Sequence, residues 1–162
     1  GFGLQVASGI YMAGFDMNTS IIDVAINSIL QGMAVGIIWV PLTVAAFATL
    51  DNRYLAEGSA VYHLLRNLGS AVFISLSVTL VIISTADNYA GMTEFVSDYN
   101  KVLNLPWVLG LWGVDSVRGL TSLSGEIGRQ AAMIGYINAF WAYTMASLAV
   151  MPLIFLVRAR KT

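Results

Sequence analysis

Residues 24–50, VAINSILQGMAVGIIWVPLTVAAFATL, carry no charged side chain. A hydrocarbon core about 30 Å thick needs roughly 20 apolar residues in helical form, and this stretch supplies them. Asn67 to Ala86 and Gln130 to Val157 are equally free of charge. Three such runs in a chain of 162 residues make lipid the solvent for most of it. The fold class expected is therefore all-α, a polytopic membrane protein.

Composition agrees with the runs. The chain is 57% hydrophobic and only 10% charged, with a mean hydropathy of +0.75, whereas soluble domains carry about 25% charge. A net charge of −1 offers no attraction to a nucleic acid, so none is expected as a partner. The absence of cysteine excludes disulfides and thiolate metal sites, and the single histidine, His63, excludes a multi-histidine site. No metal is expected, and no cofactor. There is no nucleophile–base–acid arrangement and no phosphate-binding glycine loop, so enzymatic chemistry is not expected.

Working outward from the first run, the expected spans are 1–15, 24–50, 55–85 and 130–157. The stretch Gly1 to Phe15 covers only about 22 Å as a helix. It reads as the far end of a span whose beginning is missing; the alternative is an interfacial first helix. Asp16, Asn18, Thr19, Ser20 and Asp23 form a short acidic loop, and Asp51-Asn52-Arg53 a tight turn. A polar segment, 86–129, precedes the last span. Lys and Arg near span ends favour the cytoplasm. Arg53 and the tail residues Arg158, Arg160 and Lys161 fall on one side if the spans alternate. The opposite side carries Asp16, Asp23 and the segment 86–129, in which Asp87, Glu94, Asp98, Asp115 and Glu126 outnumber Lys101, Arg118 and Arg129. The C-terminus is thus expected in the cytoplasm and the 86–129 loop in the periplasm or outside. Within that loop, Leu103 to Trp112 is apolar and holds Trp107 and Trp112, residues that prefer the membrane–water boundary. It reads as a cap over the helix ends, or as a surface that meets substrate or an external partner.

A few polar and small residues inside the spans are the candidates for function. Gly32 and Gly36 form a small-xxx-small pair that lets another helix approach. Pro41 removes a backbone hydrogen bond and crowds the carbonyl of Ile37, so a kink is expected. Asn27 and Gln31, one turn apart, share a face; they serve either substrate or a neighbouring helix. Arg66 is about 18 Å along a helix from Tyr54, a depth costly for a charge unless it pairs or snorkels. It lines a cavity or gate, or it anchors the helix at the inner interface. His63, one turn away, is a poor proton acceptor beside that cation. Asn138 lies among the small residues Gly135, Ala139, Ala142 and Ala146, which suit close packing. Trp141 and Tyr143 mark a boundary, a drug-sized pocket or plain core.

The order and spacing of these motifs carry a resemblance. Gln31-Gly32-Met33-Ala34-Val35-Gly36, then Pro41-Leu42-Thr43, the Asp51-Asn52-Arg53 turn, Ala56-Glu57-Gly58-Ser59 and Arg66-Asn67-Leu68-Gly69 resemble the late part of an EmrB/QacA-type drug:proton antiporter. That is the fourteen-span branch of the major facilitator superfamily. The long loop and Gln130-Ala131 ahead of Phe140-Trp141 fit the same pattern, so nearly the whole chain is covered. The resemblance implies a C-terminal fragment of a helical bundle in the bacterial cytoplasmic (inner) membrane. It implies export of amphipathic small molecules by alternating access, with the proton as coupling ion, and Gly69 at a packing position. Its implied partners are lipid, the rest of the same transporter chain, a small-molecule substrate, and a periplasmic adaptor with an outer-membrane channel. One departure stands out: where such proteins often carry an acid, this chain has Asn138, and a neutral amide carries no proton. The alternatives from other classes are a non-transporting multi-span scaffold or assembly protein, and a transporter of one specific metabolite.

Overall fold

The computed structural model describes residues 1–97, 99–103, 105–113 and 116–156, and these are helical with no strand among them. The helices are α1 (Phe2–Ala13), α2 (Ile21–Phe47), α3 (Leu55–Thr93), α4 (Pro106–Trp112) and α5 (Val117–Val150), with short 3₁₀ helices at Asn52–Tyr54 and Met151–Leu156. Three helical stretches, Ile21–Phe47, Asn52–Thr93 and Val117–Leu153, are long and apolar enough to cross a membrane. α1 is apolar but has 12 residues, about 18 Å. The tail residues Arg158, Arg160 and Lys161, and the loop acids Asp98 and Asp115, lie outside the described residues.

Local chemistry sets where each helix begins. α2 starts at Ile21 rather than at 24, because Ser20 and Asp23 build a capping box. The Ser20 hydroxyl accepts from the Ile22 N–H at 3.2 Å, and Asp23 Oδ2 accepts from the Ser20 N–H at 3.2 Å. These contacts satisfy donors that a helix start leaves orphaned. α2 runs on through Pro41 and ends at Phe47. The Asn52–Tyr54 turn then reverses the chain, with the Tyr54 N–H donating to the Asp51 carbonyl at 2.9 Å.

α3 and α5 both extend into the segment expected as loop. α3 continues to Thr93, eight residues past 85, and α5 begins at Val117, thirteen residues before 130. The Ser116 hydroxyl accepts from the Gly119 N–H at 3.0 Å and starts α5. The Asn88 side chain donates to the Ser84 carbonyl at 2.7 Å, a bond made within the helix. Polar residues after 85 therefore mark where the helix leaves an apolar solvent, not where it ends. With 39 residues, α3 measures about 58 Å, well beyond the hydrocarbon thickness. α4 opens with Pro106 in its first turn, where its missing N–H costs nothing, and exposes Trp107.

The chain divides into two compact units, Gly1–Ser77 with Phe140–Thr162, and Val78–Ala139. In the first, α1 and α2 form an antiparallel hairpin: Gly1 meets Ile37 and Ile38, Ser8 meets Asn27, and Tyr11 meets Asp23. α5 lies antiparallel to α1, with Gly9 against Thr144 and Phe15 edge-on to Phe140. Near the α2–α3 turn Phe47 packs on Tyr62, ring centroids 5.4 Å apart, and Gly58 packs against Leu50. In the second unit, the end of α3 runs antiparallel to the start of α5, with Ser84 bonded to Asn138 and Tyr89 to Ser124.

Very little of this apolar chain is buried within itself. Among the described residues the buried apolar side chains are Met12, Ala34, Leu123 and Ala131, while Leu76 and Ile82 stay 64% and 63% exposed. Water does not tolerate so much contiguous apolar surface. Lipid tails do, since they are as apolar as leucine and give helices no hydrophobic reason to cluster. The protein is an all-α, polytopic membrane protein.

Candidate functional site

Asn27 and Gln31 share a face of α2, and the structure sends them to different neighbours. The Ser8 hydroxyl of α1 donates to Asn27 Oδ1 at 2.9 Å, and Asn27 is only 4% exposed. Gln31 Nε2 donates to the Tyr143 hydroxyl of α5 at 3.1 Å. Both amides thus fasten helices, α2 to α1 and α2 to α5. Such bonds average about 0.6 kcal/mol and reach about 1.7 kcal/mol in membrane proteins. One turn or less from these contacts, Gly9 brings α1 against α5 so closely that a Cβ would strike the hydroxyl of Thr144, itself 1% exposed. Gln5, one turn before Gly9, has its Oε1 buried with no donor among the described residues.

Gly32, Gly36 and Gly69 are placed differently. A Cβ built at any of them meets nothing within 4 Å, so none is a point of close approach within the described chain. Pro41 lines a cavity of about 360 Å³ with Ile37, Ile38 and Leu42 from α2, Phe2 from α1 and Gly1 just before it. That cavity is lined almost wholly by apolar groups.

Arg66 finds an aromatic partner. Its guanidinium carbon lies 3.7 Å from the centroid of the Trp39 ring, so α3 and α2 meet through a cation–π contact. Among the described residues the ion pairs are Arg53 with Asp51 and Arg129 with Glu126; Arg66 has none. His63 is exposed and stands edge-on to Tyr62 at 5.6 Å.

Asn138 belongs to the second unit. Its Nδ2 donates to Ser84 Oγ at 2.6 Å, and Asn88 Nδ2 donates to the Ser84 carbonyl at 2.7 Å. Ser84 is 8% exposed. Three residues earlier on the same face of α5, Gly135 admits the α3 backbone: a Cβ there would lie 2.9 Å from the Val81 carbonyl oxygen and against Thr85. The small residues noted around Asn138 thus do bring two helices together at Gly135.

The acidic loop between α1 and α2 opens a cavity of about 590 Å³ lined by Tyr11, Phe15, Asp16 and Asp23 among others. Its carboxylates are already engaged. Asp16 accepts from the Asn18 N–H at 2.8 Å, and Asp23 caps α2 and accepts from the Tyr11 hydroxyl at 3.1 Å. Sequence reasoning overlooked Ser8, Gly9, Trp39, Ser84 and Thr144. The adjacent small pair Ser8-Gly9 inside an apolar helix was the available signal for the first two. Nothing in the sequence points from Arg66 to Trp39, which lies on another helix.

Comparison with known proteins adds a second line of argument. Over 142 residues the chain is 25% identical to the multidrug export protein EmrB of Haemophilus influenzae, a match covering 87% of this chain and 28% of that protein. The chain is similar to multidrug export proteins. A second relative, the probable multidrug resistance protein EmrY of Escherichia coli, is 28% identical over 128 residues, 78% of this chain and 24% of its own length. The chain therefore spans about a quarter of the length of these relatives. No family model matches it, and no solved structure does.

Proposed function

We propose that this chain forms the last membrane-spanning helices of a multidrug exporter of the major facilitator superfamily. The exporter works in a bacterial cytoplasmic membrane and exchanges amphipathic small molecules for protons. The observation that carries this reading is the similarity to EmrB over 87% of the chain. The scarcity of internal burial supports it. Helices whose apolar faces meet so little of their own chain are surfaces for lipid and for the rest of a larger bundle. Gly32, Gly36 and Gly69, open here, are then approach points for helices of that bundle. In this reading Arg53 and the basic tail face the cytoplasm, and the segment around α4 faces the periplasm, where an adaptor and an outer-membrane channel receive the substrate.

Asn138 holds Ser84 and carries no titratable proton, so proton coupling is assigned to acids elsewhere in the transporter. The test is dye accumulation in cells that express the intact gene and lack their own exporters. Lower accumulation, restored by a proton uncoupler, is expected. Accumulation equal to that of the empty strain, with the protein present in the membrane, overturns drug efflux and favours transport of one metabolite or a scaffold role.

A further inference from the structure

Arg66 is the one described side chain that places a full charge on the apolar face shared by α2 and α3 without an acid beside it. Eleven residues separate it from the start of α3 at Leu55, or about 17 Å of helix. Trp39 sits eight residues before the end of α2, about 12 Å from the same turn. The charge-free run of α3, Asn67 to Ala86, begins directly after Arg66, so the guanidinium stands at the end of that run nearer the turn. Helical side chains lean toward the helix N-terminus, and the α3 N-terminus is at the Asp51–Tyr54 turn. Arg66 thus reaches back toward the nearer membrane surface.

The indole covers one face of the guanidinium and leaves the N–H donors at its edge uncommitted, for no hydrogen bond from this side chain to protein is formed among the described residues. A cation held flat on an aromatic ring at the end of a charge-free run, with a free planar fork, suits an amphiphile with an oxoanion at the end of hydrocarbon chains. We propose that Arg66, braced by Trp39, binds the phosphate of a phospholipid drawn from the leaflet that the Asp51–Tyr54 turn faces. The fork donates to two phosphate oxygens at once. The acyl chains run down the exposed apolar faces of α2 and α3. Charge complementarity argues for this occupant: a cation at the end of a charge-free run reaches the anionic headgroups beside it.

The experiment is native mass spectrometry of the intact protein, released from mild detergent and titrated with phosphatidylglycerol. The wild type is expected to hold one lipid tightly. Arg66→Gln should weaken that binding by about tenfold, equivalent to about 1.4 kcal/mol. Trp39→Leu should weaken it several-fold, and Trp39→Phe, which keeps an aromatic face, should retain most of it. Diacylglycerol, which lacks the phosphate, should not compete. If Arg66→Gln aggregates on gel filtration, Arg66→Lys decides: weaker binding supports the forked contact, and unchanged binding overturns it. Equal affinity in the wild type and Arg66→Gln also overturns the proposal, as does competition by diacylglycerol. Full displacement by millimolar inorganic phosphate overturns the lipid assignment in favour of a free anion. Lipid retention is read without transport, so its failure leaves the efflux reading standing.

Discussion

At Gly135 one hydrogen atom separates two helices. A side chain there would press on the Val81 carbonyl and on Thr85, neither of which can move without disturbing α3. Gly135→Val should therefore lower the thermal unfolding midpoint of the protein in detergent, with a loss of about 1–3 kcal/mol, the usual cost of overpacking. An unchanged midpoint would mean that the helices separate freely at this point. Gly9→Val should act in the same direction through Thr144. Gly32→Ala has no such obstacle within the chain. If it impairs the intact transporter while leaving the contacts made by α1 and α5 undisturbed, the affected neighbour belongs to another part of the bundle. The small-xxx-small pattern was legible in the sequence as permission for helices to approach. Which helices use that permission depends on three-dimensional neighbours, and a glycine carries no mark of them. Asn138 makes a second prediction at this scale. Asn138→Ser, which keeps a hydrogen-bonding group toward Ser84, should leave the pH dependence of dye efflux where it is. A displaced pH profile would show that coupling runs through this position.

Elements are joined here by a few polar contacts rather than by an apolar core. Gln31 with Tyr143 crosses from α2 to α5. A double-mutant cycle with Gln31→Leu and Tyr143→Phe should give a coupling energy of about 0.6–1.7 kcal/mol in unfolding measurements from mixed micelles. A coupling indistinguishable from zero would demote that bond to an incidental contact. The apolar runs were easily read because each reports the solvent that surrounds it. The ends of α3 and α5 were not, because hydropathy does not report backbone conformation: Asp87, Asn88 and Tyr89 are polar, yet they lie inside a continuous helix. The cap at Ser20 and Asp23 is the opposite case. Its pattern is present in the sequence as a serine followed three residues later by an acid, but hydropathy alone assigns both residues to the acidic loop.

For the whole molecule the decisive quantity is the side of the membrane on which each turn lies. Asp51–Tyr54 and the segment between α3 and α4 are separated by a helix with a span-length apolar window, so they should lie on opposite sides. The excess of acids in the 86–129 segment and the arginine in the turn set the direction through the preference of positive residues for the cytoplasm. The chain has no cysteine, so single cysteines can be introduced without background. Asn52→Cys in intact cells should resist a membrane-impermeant maleimide and react only after the membrane is opened. Lys101→Cys should react at once. Asp87→Cys should also react from outside, because α3 is long enough to carry that residue past the hydrocarbon, whereas Leu76→Cys should remain unlabelled on both sides. Labelling of Asn52→Cys in sealed cells with protection of Lys101→Cys would invert the orientation. Labelling of both from the same side would remove the crossing by α3, and with it the membrane-spanning arrangement on which the efflux reading rests.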